Sequence, residues 1–183
     1  ILQSKVYLDE ATGLPNKNKC EEILNAPDLL SAQDAVAICV FDLNNLRNIN
    51  NNLGHDKGDE YIRSFAVQLR IAVADEYFVG RDGGDEFIAV LKNVTRMQVE
   101  ECLRDIREQA AKYSKEYPEM PISYAVGYAM SQDFEQSTMR ELFRYADKNM
   151  YIDKNQAKLE EAAKEKKLHL ELLSSIRSQG FHF

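Results

Sequence analysis

The nine residues 79–87, VGRDGGDEF, lie between two short segments of apolar sequence. Val79 and the run Phe87-Ile88-Ala89-Val90 are typical of β-strands, whereas the residues between them include an arginine, three acidic groups and two adjacent glycines. Asp-Gly and Gly-Gly pairs between strand-forming segments are common signals of a hairpin. We therefore predict a β-hairpin with strands at 77–80 and 87–91 and a strongly polar tip.

The glycine pair Gly83-Gly84 has two explanations at this stage. Glycine adopts turn conformations that other residues avoid, so the pair can simply serve the reversal of the chain. It can also leave the backbone bare, so that an anionic ligand comes close while Asp85 and Glu86 hold a cation. The hairpin alone does not decide between these two explanations.

The segments around the hairpin predict alternating helices and strands. The apolar run 35–41 predicts a central strand that is buried on both faces and stops at Asp42. Apolar residues at helical spacing, with capping-box sequences at Thr95-x-x-Gln98 and Thr138-x-x-Glu141, predict further helices. The expected elements are helices at 16–26, 58–74, after Thr95 and after Thr138, a strand at 121–130, and a loop or short irregular helix after Asp42.

The central part of this order is βαββαβ, which predicts an α+β fold. The expected architecture is a ferredoxin-like core with a central antiparallel sheet flanked by helices, plus a C-terminal extension helix. In this arrangement the first strand and the central hairpin are neighbours. We therefore expect the carboxylates of Asp42, Asp85 and Glu86 to converge at one end of the sheet.

Clustered carboxylates repel one another unless a cation is present. Hard oxygen ligands favour Mg²⁺ or Mn²⁺, which also bind substrate phosphates. Such ions would clamp a triphosphate and lower the pKa of an attacking hydroxyl, which predicts phosphoryl or nucleotidyl transfer. The alternative is that the three carboxylates are solvated turn residues. Nearby, Asn50 and Asp59 could bind a guanine edge, and Arg47 and Lys148 could neutralise phosphates, although spacing alone leaves these roles open.

Composition limits the class of partner. The chain has 183 residues and a net charge of −7, which argues against binding to a nucleic acid polymer. No apolar run is long enough to span a membrane, and we expect no membrane contact by this part of the protein. Cys20, Cys39 and Cys102 are widely spaced, which suits a reducing cytoplasm without disulfides or zinc. Because the first residue is Ile1 and not Met, we expect the chain to be a cytoplasmic piece of a longer protein. Any membrane anchor of that protein is expected to lie outside this chain.

Four sequence blocks together resemble the GGDEF domain of bacterial diguanylate cyclases. Gly83-Gly84-Asp85-Glu86-Phe87 matches the motif that names the family. DEATGLPNK at 9–17 is similar to its D-x-L-T-G-L-x-N-R, and FDLNNLRNINNNLGHDKGDE at 41–60 to its D-x-D-x-F-K-x-I-N-D-x-x-G-H-x-x-G-D. YADKNMYIDK at 145–154 is similar to A-D-x-A-L-Y-x-A-K. The blocks occur in the family's order, and the resemblance implies a nucleotidyl-cyclase-like fold.

The resemblance implies that two GTP molecules are condensed into cyclic di-GMP with loss of two pyrophosphates. Each domain would hold one GTP, so a homodimer of domains would be needed for turnover. On the matching positions, Asp42, the Leu43 carbonyl, Asp85 and Glu86 would bind Mg²⁺ or Mn²⁺. Asp85 and Glu86 would also help to deprotonate the ribose 3′-hydroxyl. On the remaining matching positions, Asn50 and Asp59 would bind guanine and Arg47 and Lys148 would bind phosphate. Gly83 and Gly84 would let the substrate come close to the backbone.

The chain departs from the family pattern at several positions. Those within the motif blocks are Asn44, Leu46, Asn51, Asp82 and Ile152. The family's product-inhibition motif, R-x-x-D, is replaced at 74–77 by Ala-Asp-Glu-Tyr. We therefore predict no feedback inhibition by cyclic di-GMP through that position.

The composition changes at Lys158, where Lys and Glu mix with scattered Leu. We divide the chain into a GGDEF domain at 1–157 and a connecting helix at 158–183. Residues 168–183 are similar to the approach to EAL phosphodiesterase domains, which implies an EAL-type domain beyond this chain. The alternative to a cyclase is therefore a GTP-binding module, weak or inactive in catalysis, that controls an attached phosphodiesterase.

Overall fold

The computed structural model describes residues 7–180. Within this range the helices are α1 Lys17–Leu24, α2 Leu46–Leu53, α3 His55–Ala72, α4 Arg96–Glu116 and α5 Met139–Ser178, and the strands are β1 Ala37–Leu43, β2 Phe78–Gly83, β3 Glu86–Leu91 and β4 Tyr124–Met130. Short 3₁₀ turns occupy Ala32–Asp34 and Ser131–Asp133. None of the helices in the described range combines the length and apolar character needed to cross a bilayer.

The four strands form one antiparallel sheet in the order β2-β3-β1-β4. With helices α3 and α4 between the strands, this is the predicted ferredoxin-like βαββαβ arrangement. β1 is central, and all of its residues except Asp42 are buried, in agreement with its continuous apolar sequence. β4 forms one edge of the sheet and β2 the other.

Alternate residues of the strands face two separate cores. One face packs against α3 and α4 through Phe41, Tyr61, Phe65, Phe87 and Ile106. The other face packs against α1 and α5 through Cys20, Leu24, Ile38, Ile88 and Met150. Asp42 belongs to the same alternation as Ile38 and Val40, so its side chain projects on the α1/α5 face.

A glycine in β4 allows α5 to lie close to the sheet. A Cβ atom at Gly127 would stand 2.1 Å from the backbone nitrogen of Met150 and 2.4 Å from the carbonyl oxygen of Ala146. Backbone atoms cannot yield that space, so only glycine permits this approach. The close contact fixes the part of α5 that faces the end of β1.

Three sequence predictions need correction at the ends of β1 and the hairpin. β1 does not stop at Asp42 but continues to Leu43, whose N–H donates to the carbonyl of Asp85. It begins at Ala37 because Ala35 has a left-handed backbone, with φ of 49°. β2 likewise extends through the glycine motif to Gly83, with an irregular register between Arg81 and Gly83.

The Asn-rich segment after β1, predicted as a loop or a short irregular helix, forms the short regular helix α2. Leu46 and Ile49, three residues apart, pack on the α3/α4 core, and this burial stabilises a helix of low intrinsic propensity. Thr95 and Thr138 are the N-caps of α4 and α5, as predicted, and Thr95 forms the complete capping box with Gln98, whereas Thr138 accepts from the N–H of Glu141.

Helix α5 runs for 40 residues without interruption. It passes the boundary that we placed between residues 157 and 158 as one continuous helix. Beyond that boundary its side chains are exposed except for Leu173 and Ile176, which are half-buried. The segment that is similar to EAL-linked sequences ends at residues 181–183, which lie outside the described residues.

Candidate functional site

Strand pairing places the carboxylates of Asp42 and Glu86 side by side. The two residues are direct partners in the antiparallel pair of β1 and β3, so their side chains leave the same face of the sheet. Asp85 lies at the hairpin tip, where its carbonyl holds the N–H of Leu43 and its side chain is a neighbour of Asp42. The structure therefore brings together three of the residues that the sequence predicted to meet.

A lysine that the sequence analysis did not select also belongs to this site. Lys154 on α5 donates from Nζ to Oδ2 of Asp42 at 2.7 Å. The Asp42 side chain is 13% exposed and that of Lys154 is 28% exposed, so the ion pair is largely shielded from water. Lys154 therefore supplies one of the positive charges that a cluster of carboxylates requires.

The acidic groups shift one another's pKa values upward. Burial first, and then the charge of Asp42, raises the pKa of Asp85. Burial and the charges of Asp82, Asp147, Asp42 and Asp85 raise the pKa of Glu86 to about 7. Burial and then the charge of Asp42 also raise the pKa of Asp147, which reaches the site from α5. The site thus contains more negative charge than its own cations neutralise.

Asp82 lies on the α1 side of this acidic row. Burial, and then the charge of Glu21 on α1, raises its pKa to about 6, while the charges of Lys17 and Arg140 oppose the shift. The Oδ1 atom of Asp82 is buried and has no hydrogen-bond partner among residues 7–180. Asp82 is therefore a half-buried neighbour of Glu86 and not a solvated turn residue.

A cavity of about 460 Å³ opens beside the carboxylates. Its lining includes Leu43, Asp85 and Lys154, with Arg47 from α2. The wall formed by α5 continues to Lys158 and Glu161. Charged groups of both signs at a concave surface suit a polar, multiply charged ligand better than an apolar one.

The predicted guanine-binding residues lie apart from this lining. Asn50 on α2 is half-buried against α3, where a Cβ atom at Gly58 would stand 1.7 Å from its Oδ1 atom. Asp59 is the next residue of α3 and is exposed. Because Gly58 has no side chain, the amide of Asn50 can pack against the backbone of α3 next to Asp59.

Lys148 is placed differently from the other predicted site residues. It is exposed on α5 and does not line the cavity, and within residues 7–180 it forms no hydrogen bond or ion pair. Lys154 follows Met150 by four residues and so continues the buried stripe of α5, whereas Lys148 points away from that stripe. The geometry favours Lys154 as the lysine that faces a substrate.

The glycine motif owes its shape to backbone geometry. Gly83 and Gly84 have φ values of 119° and 38°, which favour glycine. A Cβ atom at Gly84 would meet no atom within 4 Å, and one at Gly83 would meet only Lys17 Cδ at 3.9 Å. The turn therefore requires glycine for its conformation, while both residues leave the backbone open to a second cleft that also includes Lys17 and Arg81.

The side chains at the site fit magnesium or manganese by ligand type. Asp42, Asp85 and Glu86 offer carboxylate oxygens, and Asp42 and Asp85 are close enough to raise the pKa of Asp85. Across residues 7–180, however, no three carboxylate, imidazole or thiol groups are gathered closely enough to hold a metal ion. A metal ion would therefore be coordinated by the carboxylates of Asp42 and Asp85 and by a backbone carbonyl oxygen.

Comparison with known proteins identifies a family for this chain. Residues 6–160 match the family profile described as "Diguanylate cyclase, GGDEF domain". An uncharacterized membrane protein of Staphylococcus saprophyticus is 28% identical over 158 residues, which are 82% of this chain and 44% of that protein. A similar protein of Staphylococcus haemolyticus is 27% identical over 157 residues, with the same coverage of 82% and 44%. The chain thus spans less than half the length of these curated relatives.

Solved structures share the fold. The GGDEF domain of DgcB from Caulobacter crescentus, determined in complex with c-di-GMP, superposes with a TM-score of 0.69 at 21% identity and covers 82% of this chain and 91% of that one. An EAL/GGDEF domain protein from M. capsulatus is 29% identical, with a TM-score of 0.58 over 67% of this chain and 80% of the other.

Proposed function

The chain belongs to the GGDEF domain family of diguanylate cyclases, and from this premise we propose that it condenses two molecules of GTP into cyclic di-GMP and two pyrophosphates, with Mg²⁺ or Mn²⁺. The observation that carries the proposal is that Asp42, bonded to Lys154, neighbours Asp85 and Glu86, and that Asp85 and Lys154 line a cavity of about 460 Å³. The surplus of negative charge there supports a divalent cation as the missing partner.

The proposed chemistry joins the ribose 3′-oxygen of one GTP to the α-phosphorus of the other. The bond between the α- and β-phosphates breaks, pyrophosphate leaves, and the same step repeats in the opposite direction to close the ring. A bound divalent cation would lower the pKa of the hydroxyl and neutralise phosphate charge. Asp42, Asp85 and the Leu43 carbonyl would hold it, with Glu86 beside them.

The protein side chains would supply proton transfer and positioning. A general base must lie near the hydroxyl and accept its proton, and Glu86 lies beside the carboxylates of Asp42 and Asp85, where burial and acidic neighbours raise its pKa in the absence of a metal ion. Asp85 lies nearer the cavity, and we propose that Asp85 and Glu86 together receive the hydroxyl proton. Arg47 and Lys154 would hold phosphates, Asn50 and Asp59 would bind guanine, and Gly83 and Gly84 would admit the substrate backbone. Lys148 remains a sequence prediction that the geometry does not support.

Turnover requires two domains that face each other, because one pocket holds one GTP. We propose a homodimer for catalysis, on the cytoplasmic side of a membrane. The naming of the staphylococcal relatives as membrane proteins supports a membrane anchor outside this chain.

A second candidate function is a GTP-binding module that controls an attached EAL-type phosphodiesterase. The observation that favours it is the long C-terminal half of α5, which extends beyond the cavity lining and whose side chains after Glu161 are exposed except for Leu173 and Ile176. The M. capsulatus EAL/GGDEF protein supports the pairing of these two domains.

Incubation of the chain with GTP and Mg²⁺ at high protein concentration tests both candidates. We expect pyrophosphate and cyclic di-GMP, a loss of at least a hundredfold in rate for Asp85→Ala (~10²), and no loss for the control Asp75→Ala, whose side chain is fully exposed. Binding of GTP without turnover would favour the regulatory module. A chain that does not bind GTP would contradict both candidates.

A further inference from the structure

The Oδ2 atom of Asp42 already has a cationic partner in this structure. Lys154 Nζ lies 2.7 Å from it, and both side chains are mostly withdrawn from water. The bond to Asp42 raises the pKa of Lys154, so its ammonium group is charged at any physiological pH. The lysine therefore neutralises one of the carboxylates on which the proposed metal site depends.

We propose that Lys154 is the resident counter-ion of Asp42, that it must leave this carboxylate when a divalent cation binds, and that a nucleotide triphosphate in the adjoining cavity draws it away. The inference rests on the proposed function, because it concerns the same pocket. It makes Lys154 a positioning residue that couples the binding of metal and nucleotide.

Lys154 and a divalent cation compete for the carboxylate of Asp42. Asp42 sits in a strand between Phe41 and Leu43, both fully buried, so its backbone cannot shift to present a different face. A carboxylate can accept from a lysine on one oxygen and bind a metal through the other, but an ammonium group and a divalent cation on the same carboxylate repel each other. With Lys154 in place, metal binding therefore includes the work of breaking the ion pair.

The ammonium group of Lys154 can also bind an anion in the cavity. Lys154 itself lines the cavity of about 460 Å³, together with Arg47 and Lys158. Its side chain is long and flexible, and a triphosphate in that cavity would offer several anionic oxygens. Transfer of the ammonium group from Asp42 to phosphate would leave the carboxylate free, so nucleotide would strengthen metal binding. By linkage, metal would strengthen nucleotide binding by the same factor.

A purely structural ion pair makes a different prediction. If Lys154 serves only to anchor α5 to β1, its removal lowers stability and leaves the affinity for metal unchanged. The two roles are separated by measuring metal binding directly, without turnover.

The experiment is a Mn²⁺ titration followed by electron paramagnetic resonance, on the wild-type chain and on Lys154→Met, Lys158→Met and Asp42→Asn. Lys158→Met is the matched control, because it removes the same charge from the same helix and cavity without touching Asp42. Without nucleotide, we expect Lys154→Met to bind Mn²⁺ about tenfold more tightly than wild type, Lys158→Met to change by less than about threefold, and Asp42→Asn to lose the site.

The titration is then repeated with a GTP analogue whose α–β bridge cannot be cleaved. In wild type the analogue should tighten Mn²⁺ binding, and in Lys154→Met this coupling factor should fall by about tenfold. Equal Mn²⁺ affinity for Lys154→Met and Lys158→Met, with the site still lost in Asp42→Asn, overturns the inference and leaves the proposed function standing. No Mn²⁺ binding by any of the proteins, with or without the analogue, overturns both. Lys154→Gln serves in place of Lys154→Met if circular dichroism shows that the latter does not fold.

Discussion

Arg81 links Asp9, which precedes α1, to the tip of the glycine hairpin. Its Nη1 atom donates to both carboxylate oxygens of Asp9, at 3.1 and 3.2 Å, while Nε and Nη2 donate to the carbonyl of Gly84 at 3.0 and 2.7 Å. The side chains are only 15% and 20% exposed. One guanidinium thus joins the first and the third of the sequence blocks that identify the family.

Loss of this link should destabilise the fold and loosen the hairpin. We expect Arg81→Met to lower the free energy of unfolding by about 1–3 kcal/mol, because partly buried acceptors lose a charged donor. The measurement is urea denaturation, with hydrogen exchange at the amides of Gly84 and Asp85. Lys57→Met, which breaks an exposed ion pair with Glu60, should cost less than about 0.5 kcal/mol. Equal losses for the two variants would contradict this assignment.

The raised pKa of Glu86 predicts that stability falls with rising pH. Its folded-state pKa is about 7 and its ordinary value is 4.5, so between these values the folded chain holds a proton that the unfolded chain has lost. Stability should therefore decline from pH 4.5 to about 7 and level off above. Asp82, with a folded-state pKa of about 6, contributes in the same direction.

Glu86→Gln should reduce the loss of stability between pH 4.5 and about 7. At pH 8 we expect the variant to be more stable than wild type by about 1 kcal/mol, a value reduced for the partial exposure of the side chain. Thermal unfolding at a series of pH values gives the comparison. The exposed Glu76→Gln should follow the wild-type curve, and a Glu86→Gln curve parallel to that of wild type would refute the prediction.

Gly58 should affect nucleotide binding through Asn50. A methyl group at position 58 would occupy the space of the Asn50 amide, so Gly58→Ala must displace that side chain. We expect GTP affinity to fall by about three- to tenfold in Gly58→Ala and in Asn50→Ala, and no further in the double variant. Calorimetric titration with the uncleavable analogue measures all three. Additive losses would mean that Gly58 acts independently of Asn50.

Glu161 should weaken the binding of a triphosphate, because it adds a negative charge to the lining of the cavity. We expect Glu161→Gln to raise GTP affinity about two- to fivefold at low ionic strength, and the gain to fade in high salt. Glu160→Gln, next to it on the helix but outside the lining, is the control for net charge. The same gain in both variants would show that only the total charge matters.

The turn at 74–77 should not bind the product. Arg70 donates from Nη2 to the carbonyls of Val73 and Ala74, at 3.1 and 2.8 Å, so the turn is held by a guanidinium of its own chain. We expect calorimetry to detect no cyclic di-GMP binding at this turn. Binding that survives Asp42→Ala but disappears in Arg70→Ala would contradict the expectation.

The sequence predicted the sheet well because its strands are strongly apolar and its turns contain glycine. It misjudged strand ends, since Asp42 and Gly83 are polar or flexible residues that pair because their neighbours in the sheet supply partners. It left open whether the segment after Asp42 is a loop or a short irregular helix, because the low helix propensity of this Asn-rich segment is overcome by burial of Leu46 and Ile49. Local sequence does not contain that tertiary contribution.

Two sequence signals favour Lys154 over Lys148. The final Lys of the family block A-D-x-A-L-Y-x-A-K falls on Lys154, whereas Lys148 falls on its variable position, and the periodicity of α5 agrees. Met139, Leu142, Ala146 and Met150 form the buried stripe of α5, and four residues further along that stripe is Lys154. A lysine on a buried stripe needs an anionic partner, and the sequence offered Asp42. The distance between them in the chain hid the pair until the fold brought α5 across the end of β1.

The uninterrupted length of α5 has a mechanical consequence. At 1.5 Å per residue, its 40 residues span about 60 Å, and neither glycine nor proline provides a joint between the core and the far end. Met150 lies close to Gly127 of the sheet, one turn before Lys154, and the side chains beyond Lys158 are exposed except for Leu173 and Ile176. A force on the exposed end would therefore be transmitted along one continuous helix to the ion pair of Lys154 with Asp42.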